Sequence, residues 1–261
     1  MIGIFDSGLG GLTAYKELHA LLPAGDFVYF GDTGRVPYGS RSRELLIRYA
    51  RQDIRFLLDR GADVILAACG TVSSVVLDDI RSEFSIPLFG VVDASVNAAL
   101  AATKNEKIGV IGTGATISSG AFAKKIAAAN PHAAVTSIAC PLFVPLVENG
   151  YIGRGCEVTK RVATDYLAPL RDEGIDTLIL GCTHYPIVEG RFRACFPQLE
   201  LIDPAREEAA AAAAALGAAD LVNPAAKGRF TIYTSGETAV YEKVAAQLAL
   251  TPPDSVEKLS L

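Results

Sequence analysis

The chain has 261 residues, half of them hydrophobic, with a mean hydropathy of +0.30 and a formal net charge of −5. That length allows one large domain or two small ones around a sizeable core. The balance of 24 basic against 29 acidic residues excludes the basic face that a nucleic-acid-coating or membrane-surface protein needs.

Apolar strands are predicted at 2–5, 27–31, 63–68, 87–92, 107–112, 135–139, 176–181, 199–202 and 229–234. Helical patterns lie between them, at 11–22, 41–60, 72–83, 117–129, 157–173 and 206–216. Such alternation implies an α/β fold of mainly parallel sheets flanked by helices. After residue 206 the order is helix, strand 230-FTIYT-234 and a last helix, a segment expected to return and complete the first unit. Met1 leads straight into 2-IGIF-5 with no basic stretch, so no signal peptide and a cytoplasmic location are expected. The Ala-rich run 209–215 is far too short to span a membrane.

The chain also repeats itself loosely. The opening 2-IGIFDSGLGGLT-13 matches 108-IGVIGTGATISS-119, Cys69 matches Cys182, and 91-VVD-93 matches 201-LID-203, in the same order and at an offset of about 110 residues. Two related α/β units facing each other would aim strand ends, where open sheets assemble sites, into one cleft.

The five cysteines are widely spaced and lack any C-x-x-C, which argues against a zinc knuckle or a disulfide framework. Most such thiols are buried packing groups, and Cys140, Cys156 and Cys195 are read that way. Cys69 and Cys182 differ, because 64-VILAACGT-71 and 178-LILGCTH-184 each run a strand into a thiol beside a threonine. A thiol at a helix start can become a reactive thiolate. A zinc site from Cys69, Cys182 and His184 lacks an obvious fourth ligand.

The loop 6-DSGLGGLT-13 has the glycines for close backbone approach to a ligand but neither a Walker lysine nor a dinucleotide fingerprint. Asp6 there is read as an amino-group or base-positioning acid. In 31-GDTGRVPYGSRS-42, Ser40 or Ser42 is a helix cap, and Tyr38-Gly39 offers a hydroxyl and a backbone amide. A purely structural loop explains those residues equally well. Glu148 alone reads as a solvated helix end, and His184 as either a structural histidine or a partner for the adjoining thiol. Two opposed thiols with acids nearby can remove a proton from one face of a carbon and return one to the other.

Taken together, 4-IFDSGLGGLT-13, 29-YFGDTGRVPYGSRS-42, 108-IGVIGTGATI-117, 140-CPLFVPLVENG-150 and 178-LILGCTHYP-186 resemble the glutamate racemases, cofactor-independent isomerases that make D-glutamate for peptidoglycan. The likeness spans nearly the whole chain, and the set is specific where any one stretch is not. It implies two pseudo-symmetric α/β domains, 97–206 inserted into a first domain of 1–96 plus 207–261, with the active site in the cleft between them. It implies two-base chemistry with no cofactor and no metal. Cys182 would take the proton from L-glutamate and Cys69 from D-glutamate, with Asp6 assisting Cys69 and Glu148 and His184 assisting Cys182. The same resemblance places Asp6, Ser7, Pro37, Tyr38, Gly39, Gly70, Thr71, Thr113, Thr116, Thr183 and His184 around the substrate. The partner it implies is a small molecule, not nucleic acid or membrane, and a homodimer is left open.

The family reads Cys-Asn-Thr where this chain reads Cys69-Gly70-Thr71, and 92-VDAS-95 lacks a proline after the acid. Glycine removes an amide contact and is expected to widen the pocket, so weaker glutamate binding and a lower KM in Gly70→Asn are the expectations. Two other readings stand beside the first. One is a racemase of the same superfamily for another amino acid such as aspartate. The other is a catalytically weak homologue that binds glutamate or a protein partner.

Overall fold

The computed structural model describes residues 1–153, 155–217 and 228–259. The chain runs β1 (Ile2–Asp6), α1 (Leu12–Leu21), β2 (Phe27–Gly31), α2 (Arg43–Leu58), β3 (Val64–Ala67), α3 (Gly70–Val75), α4 (Leu77–Ile80), β4 (Leu88–Gly90) and α5 (Val91–Ala102). It continues with β5 (Lys107–Gly112), α6 (Gly114–Ser119), α7 (Ala121–Ala129), β6 (Ala134–Ala139), α8 (Phe143–Glu148) and α9 (Glu157–Leu167). Then come β7 (Thr177–Leu180), α10 (Glu189–Cys195), β8 (Glu200–Ile202) and α11 (Pro204–Ala215). The last elements described are β9 (Phe230–Thr234), a helix Ala239–Gln247 and β10 (Ser255–Lys258).

These strands build two parallel sheets, one in the order β10-β9-β2-β1-β3-β4 and one in the order β6-β5-β7-β8. The inner four strands of the first, β2-β1-β3-β4, have the same topology as the whole of the second. The three internal sequence matches fall on equivalent strands: β1 with β5, the end of β3 with the end of β7, and the end of β4 with the end of β8. In each sheet the first strand sends its successors to opposite sides, which creates a switch point at the strands' carboxyl ends.

The central strands β1, β3 and β7 are buried on both faces, and their side chains alternate between two cores. Ile2, Ile4 and Leu66 pack with α1 and α11, whereas Phe5, Ile65 and Ala67 pack with α2 and α3. In the smaller sheet Leu178 and Leu180 meet α9 and α10, while Ile108, Val110 and Ile179 meet α5 and α7. Fully burying one such aliphatic side chain is worth about 1.5–3 kcal/mol. That is why continuous apolar runs mark these strands.

The expected elements hold with local differences. The strand expected at 87–92 stops at Gly90, and α5 starts at Val91, since its apolar 91-VV-92 opens a helix buried against the second sheet. The helix expected at 117–129 is two helices meeting at Gly120, whose φ of +66° breaks the run. The helix expected at 157–173 yields after Leu167 to a 3₁₀ turn carrying Pro169. Strand β10 went unforeseen: its four residues, 255-SVEK-258, carry too short a pattern to stand out. It pairs with β9, which pairs with β2, so the chain's end does return to the first sheet.

Candidate active site

Register brings the carboxyl ends together. Asp6 pairs with Gly31 and Phe5 with Ala67 in one sheet, and Ile111 pairs with Leu180 in the other. The loops leaving these ends carry Asp6-Ser7, Pro37-Tyr38-Gly39, Cys69-Gly70-Thr71, Thr113 and Cys182-Thr183-His184. All of these, together with Glu148, line one cavity of about 470 Å³. Pro141, Val144 and Pro145, around the start of α8, complete its wall. A second cavity of about 440 Å³ lies behind Glu148 and His184, against the last helix.

Cys69 caps α3 on the six-stranded side and is 4 % exposed; its thiol donates to Ser7 Oγ at 3.5 Å. Burial, reinforced by the charge of Asp6, pushes this thiol up to about 12. Asp6 is itself buried. Its Oδ2 accepts from the amides of Gly8 at 3.1 Å and Gly11 at 3.0 Å, while Oδ1 has no partner among the described residues. Burial raises the Asp6 carboxyl above its ordinary value, against the lowering effect of His184 and the three backbone amides.

Cys182 follows β7 on the opposite side and is 6 % exposed. His184 Nδ1 lies 3.7 Å from its sulfur, and Nε2 lies 3.1 Å from Glu148 Oε1. Burial alone would lower this imidazole, but its hydrogen bonds to Cys182 and Glu148 and the neighbouring negative groups hold it up at about 10. When protonated, this imidazole donates from both nitrogens, one toward Cys182 and one toward Glu148.

A hydroxyl chain crosses the cleft. Thr71 Oγ1 lies 3.1 Å from Thr113 Oγ1, which lies 3.0 Å from Thr116 Oγ1 and caps α6 by accepting from the Thr116 amide. Thr116 therefore stands behind Thr113, outside the cavity lining. Tyr38 also differs from expectation. Its hydroxyl is turned away from the cavity and held by Asp32 and by Asp53, the latter at 3.2 Å. Tyr38 still lines the cavity. Arg35 binds both of these buried carboxylates and lies 4.1 Å over the Tyr49 ring. Ser42, not Ser40, caps α2.

Gly70 lines the cavity and also sits close to the opposite backbone. A Cβ placed on it would lie 2.5 Å from the Gly181 carbonyl oxygen. Gly10, too, packs directly against Thr183 and His184. At Gly70 the lack of a side chain permits a close approach to the Gly181 backbone, and at Gly10 to the Thr183 and His184 side chains. Asp32, Asp53, Arg35 and Gly10 were not singled out by the sequence. The only signal was that Asp32, Arg35 and Gly10 lie inside stretches rich in turn formers. Among the described residues no group of three or more His, Cys, Asp or Glu could hold a metal ion, and no helix is long and apolar enough to cross a membrane.

Residues 20–217 match the family model of Asp/Glu/hydantoin racemases. The chain is 44 % identical over 224 residues to the glutamate racemase of Geobacter metallireducens, covering 85 % of this chain and 82 % of that one. Among solved structures, a glutamate racemase isoform from Bacillus anthracis superposes with a TM-score of 0.93 at 32 % identity, covering 100 % of this chain and 97 % of the other. The Francisella tularensis glutamate racemase in complex with D-glutamate superposes with a TM-score of 0.90 at 35 % identity, covering 99 % and 97 %.

Proposed function

The chain belongs to the Asp/Glu/hydantoin racemase family and is an amino-acid racemase, and from that premise we propose that it interconverts L- and D-glutamate by two-base chemistry. The observation that carries this reading is the pair of buried thiols, Cys69 and Cys182, lining one cavity from the two sheets. In the L-to-D direction Cys182 takes the Cα proton. The C–H bond breaks and an S–H bond forms, while the carbanion's electron pair accepts a proton from Cys69 on the other face. The Cys69 S–H bond breaks as the new C–H bond forms, so protons and electrons balance. The reverse direction exchanges the roles.

The surroundings support that assignment. The imidazolium of His184, braced by Glu148, stabilises charge at the Cys182 sulfur. The high value of Cys69 keeps its proton in place as the acid for L-glutamate. For D-glutamate Cys69 must lose that proton first, and Asp6 beside it assists. Ser7, Thr71, Thr113, Thr183 and the backbone of Pro37, Tyr38, Gly39 and Gly70 surround the substrate's carboxylates and ammonium. The domain division is 1–96 plus 207–261 against 97–206. The product serves peptidoglycan synthesis in the cytoplasm.

The test is to incubate the purified protein with L-glutamate or L-aspartate, without added cofactor, and follow the optical signal. Decay to zero with glutamate and a far slower response with aspartate is the expected result. Preference for aspartate, or no decay with either, would overturn the assignment.

A further inference from the structure

Glu208, in the second turn of α11, is fully buried, and neither of its carboxyl oxygens has a hydrogen-bond partner among the described residues. Ala205, Ala209 and Ala212 flank it on the helix and belong to the core layer shared with α1 and β1, so Glu208 lies on that buried face. Side chains alternate along β1, and Asp6 shares the face of Ile2 and Ile4, which pack in the same layer. A Cβ on Gly11 would meet Asp6 Cβ, the Tyr29 hydroxyl and Ala68 Cβ together, which sets Asp6 beside two members of that layer. Asp6 Oδ1 is buried and also lacks a partner among the described residues. Two carboxyl groups therefore share one apolar layer, with Asp6 lining the cavity and Glu208 behind it.

The other ionisable groups around α11 are engaged elsewhere. It packs on α1, α5 and β4. Strand β4 has no titratable side chain, and Asp93, the one charged residue of α5, is held by Arg81 and Lys125. On α1, Glu17 pairs with Arg206, Tyr15 stacks on Phe230, His19 lies against Tyr15 and Phe27, and Lys16 is exposed. The Tyr29 hydroxyl is occupied by the Gly8 carbonyl. A carboxylate with no partner is costly in such a layer, so Glu208 keeps its proton at neutral pH and is pushed up to about 8.

We propose that Glu208 is a positioning residue for the Cys69 side of the reaction: its neutral carboxyl keeps a second negative charge out of the layer behind Asp6, so that Cys69 can serve as the base for the D-hand. This rests on the two-thiol reading above. Cys69 is buried beside Asp6, and its thiolate already forms against that charge. When Glu208 ionises, the same thiolate must form against two. Two charges about 10 Å apart at an effective dielectric of about 20 still couple by roughly tenfold in an ionisation equilibrium. Cys182, on the opposite side with the imidazole of His184 beside it, is shielded from this effect. The consequence falls on one face of Cα.

Racemisation itself cannot separate the faces, because its equilibrium constant of one ties the two directions together. Elimination can: with a β-chloro glutamate of each hand, the Cα–H bond breaks to one thiolate, the C–C bond becomes double and chloride leaves. The experiment follows chloride release from both hands with the full chain, at pH values on either side of 8. In the parent the D-to-L ratio of kcat/KM should fall by at least about threefold as pH rises through about 8. In Glu208→Gln, or in Glu208→Leu should the amide not fold, the ratio should stay level. Glu207→Gln, one residue away and half-buried, should keep the parent's decline. A role in packing alone would change stability and leave the ratio unmoved. If Cys69→Ser and Cys182→Ser do not each silence one hand, the two-thiol reading fails and this proposal with it. If they do, a parent ratio that stays level or rises, or a Glu208 variant that declines like the parent, overturns this proposal alone.

Discussion

Cys69 and Cys182 have different neighbours, and that difference makes their roles separable. Cys69 faces Ser7 and Asp6, whereas Cys182 faces an imidazole held by Glu148. A serine at either position is a far weaker base than a thiolate. Racemisation should therefore fall by about 10²–10⁴-fold in both Cys69→Ser and Cys182→Ser, the range that a positioned acid or base contributes. Elimination from a β-substituted glutamate analogue needs only one base, so it separates the two faces. Cys69→Ser should still eliminate from the L-analogue and Cys182→Ser from the D-analogue; identical responses to both hands would contradict the assignment. His184→Asn should slow proton abstraction from L-glutamate more than from D-glutamate, read as initial exchange rates of each enantiomer. These residues were legible in the sequence because each thiol follows an apolar strand and the two strands match in the repeat. The hydrogen bond from His184 to Glu148 was not, because it joins residues on different elements.

At the scale of elements, the loop between β2 and α2 is held from behind. Tyr38 reaches Asp32 and Asp53, Arg35 binds both, and Ser235 Oγ lies 2.6 Å from Asp32 Oδ1. Burial, with Asp32 close by, raises the Asp53 carboxyl well above its ordinary value. Removing the hydroxyl in Tyr38→Phe strips a partner from buried carboxylates, at a cost of about 1–3 kcal/mol. The expected outcome is a lower melting temperature and a raised KM for glutamate with kcat nearly kept, measured by thermal unfolding and steady-state kinetics. A kcat loss matching that of the cysteine variants would instead make the Tyr38 hydroxyl part of the chemistry. The turn residues of 31-GDTGRVPYGSRS-42 announced a loop, but Asp53 sits within an ordinary amphipathic helix pattern. Its partners become visible only once α2 packs on the sheet. The same holds for α5, whose apolar start reads as a continuing strand until the second sheet covers it.

Across the whole molecule, Glu208 shows how packing changes the meaning of a residue. In 206-REEAAAAAAA-215 it reads as a solvated acid near a helix start, yet α11 lies between α1 and α5 and leaves Glu208 fully buried. Both of its carboxyl oxygens lack a hydrogen-bond partner among the described residues. Burial, with Asp6 nearby, pushes it from 4.5 up to about 8. The folded chain then keeps a proton that the unfolded chain releases, so this stabilising contribution is complete below pH 4.5 and is lost as pH rises through about 8. Glu208→Gln should flatten that decline and be more stable than the parent above pH 8, by a few kcal/mol at most, in denaturant unfolding followed across pH. Parallel stability curves for the two proteins would contradict this. The two-sheet plan was legible from strand–helix alternation and the internal repeat, whereas the closeness of the two sides at Gly70 depends on how they dock. The central claim, one thiol for each face of Cα, is tested most directly by racemising L-glutamate with the parent enzyme in D₂O and locating deuterium early in the reaction by NMR. Two bases predict deuterium at Cα of the D-glutamate formed and protium in the L-glutamate that remains; early deuterium in both enantiomers would contradict the account.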